Sequence, residues 1–134
     1  MQLTSFRIIT QIINPVVEFY QAVTGIQAII YTPDFAEIKT PLSTLAIASV
    51  NTLAFFGDEN MAQPGTNRSV IIEFQVDDVD ARYHEIKEAI KNSLVQEPTT
   101  MPWGNRSLLF RDPDGNLINF FAPVKPQAKQ LFKG

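Results

Sequence analysis

The 134-residue sequence contains no cysteine, which removes disulfides, thiolate metal sites and a cysteine nucleophile at once. Histidine and tryptophan occur once each, as His84 and Trp103. Charge of one sign is also scarce. The net charge is −3 and the basic residues are scattered, so no electrostatic footprint for nucleic acid exists. No apolar run approaches the length needed to span a bilayer. Met1-Gln2-Leu3-Thr4-Ser5 lacks the charged region and apolar stretch of a secretory signal. A cytoplasmic protein without membrane or nucleic-acid partners is the expectation.

What is present supports a packed core: 45% of residues are hydrophobic, ten of them Phe, in a length that suits a single domain. Residues 5–12 alternate, with Phe6, Ile8 and Ile12 on one side of a strand. Asn14-Pro15 predicts a helix start, Asn as the cap and Pro in the first turn. Val16, Phe19, Tyr20 and Val23 recur at helical spacing, and Gly25 supplies the stop. Strands are predicted at 28–32, 35–39 and 45–50, with Pro33-Asp34 and Pro41 at the turns.

The second half repeats this order. Val70, Ile72, Phe74 and Val76 share one face of a strand over 70–76. Asp77 and Asp78 offer a cap, and Val79, Tyr83, Ile86 and Ile90 mark a buried helical stripe. Strands at 94–99, 107–111 and 117–122 follow. Asp112-Pro113-Asp114-Gly115-Asn116 predicts a hairpin turn with positive φ at Gly115. An offset of 66 superposes the halves, pairing Ile12 with Asp78 and Asn14 with Asp80, and such a doubling is a strong architectural signal. The division is therefore a first βαβββ module over 3–57, a connector over 58–69, a second module over 70–123 and a polar tail over 124–134.

Several features together resemble the vicinal-oxygen-chelate (glyoxalase/bleomycin resistance protein/dioxygenase) superfamily. They are the doubled βαβββ order, Phe19-Tyr20 ahead of Gly25, Val76-Asp77-Asp78-Val79-Asp80-Ala81, and Pro102-Trp103-Gly104 leading to the 112–116 turn. The resemblance covers residues 3–123 and implies an α+β fold in which two tandem modules form a half-open mixed-sheet barrel. It also implies a divalent metal held by His or Glu from the first and last strands of each module. At the matching positions stand Ser5, Ile71 and Asn119, and no His, Asp or Glu lies between Lys39 and Asp58. A hydroxyl, an alkane and an amide cannot supply the basic donors such ions need. No metal and no other cofactor is expected, and glyoxalase, extradiol dioxygenase and metal-dependent thiol-transfer chemistry go with the metal.

Strand alternation then selects what faces the cavity that relatives use. If Ser5 and Ile71 point inward, so do Arg7, Ile9 and Gln11, and Glu73 and Gln75. Phe6, Ile8, Ile72, Phe74 and Val76 form the opposite set, beneath the helices. Arg7 and Glu73 are equivalent under the offset. The resemblance implies that the two first strands neighbour each other, so an Arg7–Glu73 ion pair is one expectation, as a structural bridge or as a ligand contact. Trp103 either stacks a flat ligand or anchors its loop. Phe55 and Phe56 serve as pocket wall, core or dimer contact. Asn119 can donate to and accept from a ligand, or satisfy Arg7 or a water. His84, with Asp80 and Glu88 one turn away, reads as part of a solvated face without the geometry of a catalytic base. Asp77, Asp78 and Asp80 are accounted for by the helix start alone.

Three functions compete. The first is a metal-free binder of a small aromatic or polar molecule, as in the drug-sequestering, antibiotic-resistance branch of the family, with Arg7, Gln11, Glu73, Gln75, Trp103 and Asn119 lining the site. The second is a metal-independent isomerase or lyase with Glu73 as base and Arg7 stabilising an oxyanion. The third is a non-catalytic interaction module with a filled cavity. By analogy with the family, a homodimer is expected.

Overall fold

A computed structural model of the protein describes residues 1–131, and the last three positions of the expected polar tail lie outside the described residues. The chain divides between Asn67 and Arg68 into two compact units, each a βαβββ module.

In the first module β1 (Ser5–Thr10) leads to α1 (Ile13–Thr24), then to β2 (Ile29–Thr32), β3 (Phe35–Lys39) and β4 (Thr44–Ser49). The sheet order is β1-β4-β3-β2, with β1 and β4 parallel and the other pairs antiparallel. β4 is central and buried along most of its length, so small and apolar residues (Leu45, Ala46, Ile47, Ala48) occupy both of its faces. α1 packs on β3 and β4 through Val16, Val17, Tyr20 and Val23, all buried. Their partners on the sheet are Ile8, Ala36, Ile38, Leu45 and Ile47, which the registers Ile8↔Ile47↔Ala36 and Leu45↔Ile38 place on one face.

The second module repeats the plan with β5 (Ile71–Gln75), α2 (Val79–Ile90), β6 (Leu94–Thr100), β7 (Asn105–Arg111) and β8 (Leu117–Pro123) in the order β5-β8-β7-β6. β5 and β8 are parallel and the rest antiparallel. Val79, Ile86 and Ile90 of α2 are buried, as are Leu108, Phe110, Ile118 and Phe120. Phe120 is the centre of this core, with Phe74 and Phe110 packed edge-on against it at 5.5 and 5.0 Å between ring centroids.

Several expectations are corrected. α1 begins at Ile13, and the flanking residue is Ile12, whose side chain makes no cap and is exposed. Thr10 Oγ1 instead accepts from the Ile12 amide at 3.0 Å. Asn14 and Pro15 therefore sit inside the first turn, and the strand before them stops at Thr10 rather than continuing to residue 12. Phe6 lies on the helix-side face, opposite Leu45, but near the start of β1, where it stays 41% exposed. The end of the first module, ahead of the expected 58–69 connector, carries a 3₁₀ helix over Val50–Phe56. The tail carries a short helix, α3 (Pro126–Leu131), seated by the buried Ala128.

At the start of α2 the repeat behaves as expected: Asp78 Oδ1 accepts from the Ala81 amide at 3.0 Å. Asp80 has a larger role than dipole complementarity. Arg106 of β7 donates to both of its oxygens, from Nε at 2.7 Å and Nη2 at 2.9 Å, a bidentate pair that ties helix to sheet. This bonding holds the Asp80 carboxyl below the usual carboxylate range and raises the Arg106 guanidinium. A depressed folded-state pKa contributes stability above the unfolded-state value and loses it as pH falls through the folded one. The urea midpoint should fall as the pH drops below about 4, and Asp80→Asn should flatten part of that slope. Because the Asp80 side chain is 59% exposed, the effect is small and weakens with salt.

Candidate ligand-binding site

The two parallel strand pairs define equivalent positions in the two modules. Arg7 lies opposite Ala46 in the first module, and Glu73 lies opposite Asn119 in the second. Since Arg7 and Glu73 are related by the 66-residue offset, Ala46 corresponds to Asn119. The register thus adds Ala46 to Ser5, Ile71 and Asn119, the positions that the resemblance matches to metal ligands.

Asn119 is nearly buried on central β8 and donates from Nδ2 to Glu73 Oε2 at 2.8 Å. Its Oδ1 is buried and has no hydrogen-bond partner among the described residues. The amide orientation follows from the neighbour, since turning it over would set oxygen against carboxylate. Glu73 itself is on an exposed position of β5, in a strand whose accessibility alternates: Ile71, Glu73 and Gln75 outward, Ile72 and Phe74 half-buried. Glu73 Oε1 makes no hydrogen bond among the described residues, so the carboxylate is oriented at one oxygen and open at the other.

This donor set does not fit a divalent ion. In the first module Ala46 carries no donor atom and Ser5 offers a neutral hydroxyl, and in the second Ile71 carries none and Asn119 offers only a neutral amide oxygen beside Glu73. One carboxylate remains where several basic ligands are required. Among the described residues no three His, Asp or Glu converge.

The other predicted residues are placed as follows. Gln75 pairs with Phe121 on the same strand pair as Glu73 and is exposed. Trp103 is 61% exposed in the turn between β6 and β7. That turn lies beyond the Asn105↔Pro123 pair, four residues from the Leu109↔Asn119 pair, or about 13 Å along the strands. It therefore neither anchors its loop by burial nor adjoins Glu73. Gln11 follows β1 and borders a groove of ≈ 550 Å³ shared with Val50, Asn51, Ala54, Glu59, Asn60, Gln63 and Thr66. Phe55 and Phe56 are exposed, which removes the core role for them. His84 is exposed on α2, as its polar neighbours imply.

Around Arg7 the first module gathers aromatic and charged side chains from β2, β3 and the 3₁₀ helix. The guanidinium carbon lies 5.1 Å from the Phe35 ring centroid and 5.7 Å from that of Phe56. Tyr31 is tilted against Phe35 at 5.8 Å, and its hydroxyl donates to Glu37 Oε1 at 2.8 Å. Lys39 Nζ stands 3.8 Å from the same oxygen. The 3₁₀ helix bearing Phe56 is fixed to β3 through Asp34, whose Oδ1 accepts from Ser49 Oγ at 2.6 Å and Asn51 Nδ2 at 3.2 Å. Those hydrogen bonds keep the Asp34 carboxyl below its ordinary range. Alternation along 35–39 was the available signal, because it sends Phe35, Glu37 and Lys39 to the same face as Arg7.

Replacing Asn119 with Asp tests the second-module pair. Two carboxylates at hydrogen-bond distance cannot both stay ionised without cost. Asn119→Asp should be less stable than the parent at pH 8 and recover part of the difference at pH 5, read from urea unfolding at both.

Two mixed sheets of βαβββ order with this strand register define the class, a vicinal-oxygen-chelate fold. Residues 2–120 match the Glyoxalase/Bleomycin resistance protein/Dioxygenase superfamily, and the chain belongs to it. It is 27% identical over 125 residues to the uncharacterized protein YraH of Bacillus subtilis (strain 168), a match covering 90% of this chain and 98% of that one. Crystal structures show the same fold. A glyoxalase/bleomycin resistance protein/dioxygenase family enzyme from Burkholderia phytofirmans PsJN gives a TM-score of 0.80 at 21% identity, over 92% of this chain and all of its own. A protein described in the same terms from Nocardioides gives 0.77 at 22%, over 94% and 85%. Among the described residues no helix is long and apolar enough to cross a membrane.

Proposed function

We propose that this protein is a metal-independent member of its superfamily that binds a small organic molecule on the exposed strand faces where relatives place their metal. The observation that carries the reading is the Asn119–Glu73 pair. Where the family pattern calls for a metal-binding carboxylate, an amide holds the neighbouring carboxylate in place at 2.8 Å and leaves its second oxygen open. An oriented acceptor of this kind suits an N–H or O–H group of a ligand better than a cation, which would need further anionic donors. Gln75, two residues along the same face, adds a group that both donates and accepts. The isomerase or lyase alternative has less support, since the described residues offer Glu73 no hydrogen-bonded nucleophile or second acid–base group.

A thermal-shift screen of small aromatic and polar compounds, run in EDTA, tests the reading, because a ligand of the native state raises stability by mass action. The expected result is a concentration-dependent rise in Tm for at least one compound in EDTA, reduced in Glu73→Gln. Shifts that appear only when a divalent ion is added overturn it.

A further inference from the structure

The first module holds a cation whose surroundings are unusual. Arg7 is exposed on β1, yet its guanidinium lies against two phenylalanine rings, Phe35 and Phe56, at 5.1 and 5.7 Å. It makes no hydrogen bond or ion pair among the described residues. A long, flexible side chain that is held by ring faces loses rotamer freedom, and among the described residues no carboxylate pairs with it. The nearest acidic side chain on its face is Glu37, two strands away through the register Arg7↔Ala46↔Glu37 and so roughly 9–10 Å distant. That carboxylate is already occupied by the Tyr31 hydroxyl and Lys39.

We propose that Arg7, held against Phe35 and Phe56, recognises the carboxylate of a small aromatic acid. This rests on the reading of the chain as a small-molecule binder and names the class of molecule. The rings cover faces of the guanidinium and leave its edge N–H groups available, and that edge is the fork that matches a carboxylate with two parallel hydrogen bonds. A single cation favours a monoanion over a phosphate dianion, since Arg7 and Lys39 are the only basic side chains of residues 1–67 and Lys39 is engaged by Glu37. The body of the ligand meets exposed aromatic surface on Tyr31 and Phe56, 52% and 59% accessible, where offset or edge-on ring packing is available. The Asp34–Ser49–Asn51 hydrogen bonds tie the start of the 3₁₀ helix that carries Phe56 to the turn preceding Phe35, which steadies the two segments that bear the rings.

Benzoate is the probe, titrated into the full chain in EDTA and followed by NMR at the Arg7 Nε–Hε signal and the phenylalanine ring protons. Benzamide is the neutral shape match, and inorganic phosphate is the alternative anion. Expected are saturable shifts with benzoate and binding at least about tenfold weaker with benzamide. Arg7→Ala should lose about tenfold or more in affinity, Arg7→Lys less because it keeps charge without the fork, and Phe56→Ala should weaken binding while retaining it. An unchanged far-UV spectrum shows that these exposed positions leave the fold intact. Equal benzoate affinity in Arg7→Ala, equal affinity for benzamide, or tighter binding of phosphate each overturns the proposal. If benzoate fails at Arg7 while other compounds still raise Tm in a Glu73-dependent manner, the carboxylate subsite falls and the small-molecule reading stands.

Discussion

Phe120→Ala lowers the stability of the second module by about 3–5 kcal/mol, the largest effect expected of any single truncation in this chain. Phe120 is 1% exposed on central β8, where every neighbour is itself fixed by the sheet. Phe74 is its register partner across the parallel pair and Leu108 across the antiparallel one. Phe74 and Phe110 both meet its ring edge-on. Removing the ring forfeits burial, both aromatic contacts and the dispersion of a packed site, and strands on either side cannot move in to fill the space. Domains of this size hold only about 5–15 kcal/mol in total, so the variant sits near the unfolding threshold at room temperature. Phe120→Leu keeps most of the volume and should cost about 1–2 kcal/mol. Urea unfolding of the three proteins checks the order, and a parent-like midpoint for Phe120→Ala would show that this core collapses in a way the register does not allow.

The second large effect is expected at the turn between β7 and β8. Asp112 is 4% exposed, and its carboxylate organises the whole loop. Oδ1 accepts from the amides of Asp114 and Asn116, both at 2.9 Å, and Oδ2 from Asn116 Nδ2 at 2.8 Å. Arg111 donates from Nη1 to the Gly115 carbonyl at 2.9 Å, and Gly115 turns the chain at φ 85°. Asp112→Ala leaves these donors without their acceptor in a region water reaches poorly. Hydrogen bonds to a charged group contribute about 1.5–3 kcal/mol each and do not sum, so the expected loss is about 2–4 kcal/mol. Asp112→Asn retains one carbonyl oxygen and should lose roughly half as much. Amide exchange at Asp114 and Asn116 should accelerate in the alanine variant by more than the global stability change accounts for.

The difference between the two helix starts shows how legibility varies along the chain. Asp78 was readable as a cap because its carboxylate forms a local hydrogen bond with Ala81, three residues on. Asn14 looked like its counterpart by residue type, yet the 66-residue offset pairs Asp78 with Ile12, which is where α1 is flanked. The repeat carried better information than the propensity. The ends of β1, β5 and β7 each moved by one or two residues, because hydrogen bonding to the neighbouring strand, not the alternation itself, sets where a strand stops. Asp80 was assigned only to its helix, since nothing local announces that Arg106, 26 positions later, folds back onto it. Ala46 was invisible as a site position for the same reason: only its register opposite Arg7 makes it the counterpart of Asn119.

From the residues alone came the doubled βαβββ order, most of the buried face of each helix (Phe19 and Tyr83 are only half-buried), the hairpin at 112–116 and the lack of basic side chains at Ser5, Ile71 and Asn119. All of these depend on periodicity or on chemistry within a few positions, which a linear string preserves. Pairings between distant strands were decided only when the chain folded: Asn119 on Glu73, Arg106 on Asp80, and Phe35 with Phe56 around Arg7. Which partner a polar or cationic group acquires depends on long-range register, and a single chain of residue types does not encode that in any local pattern.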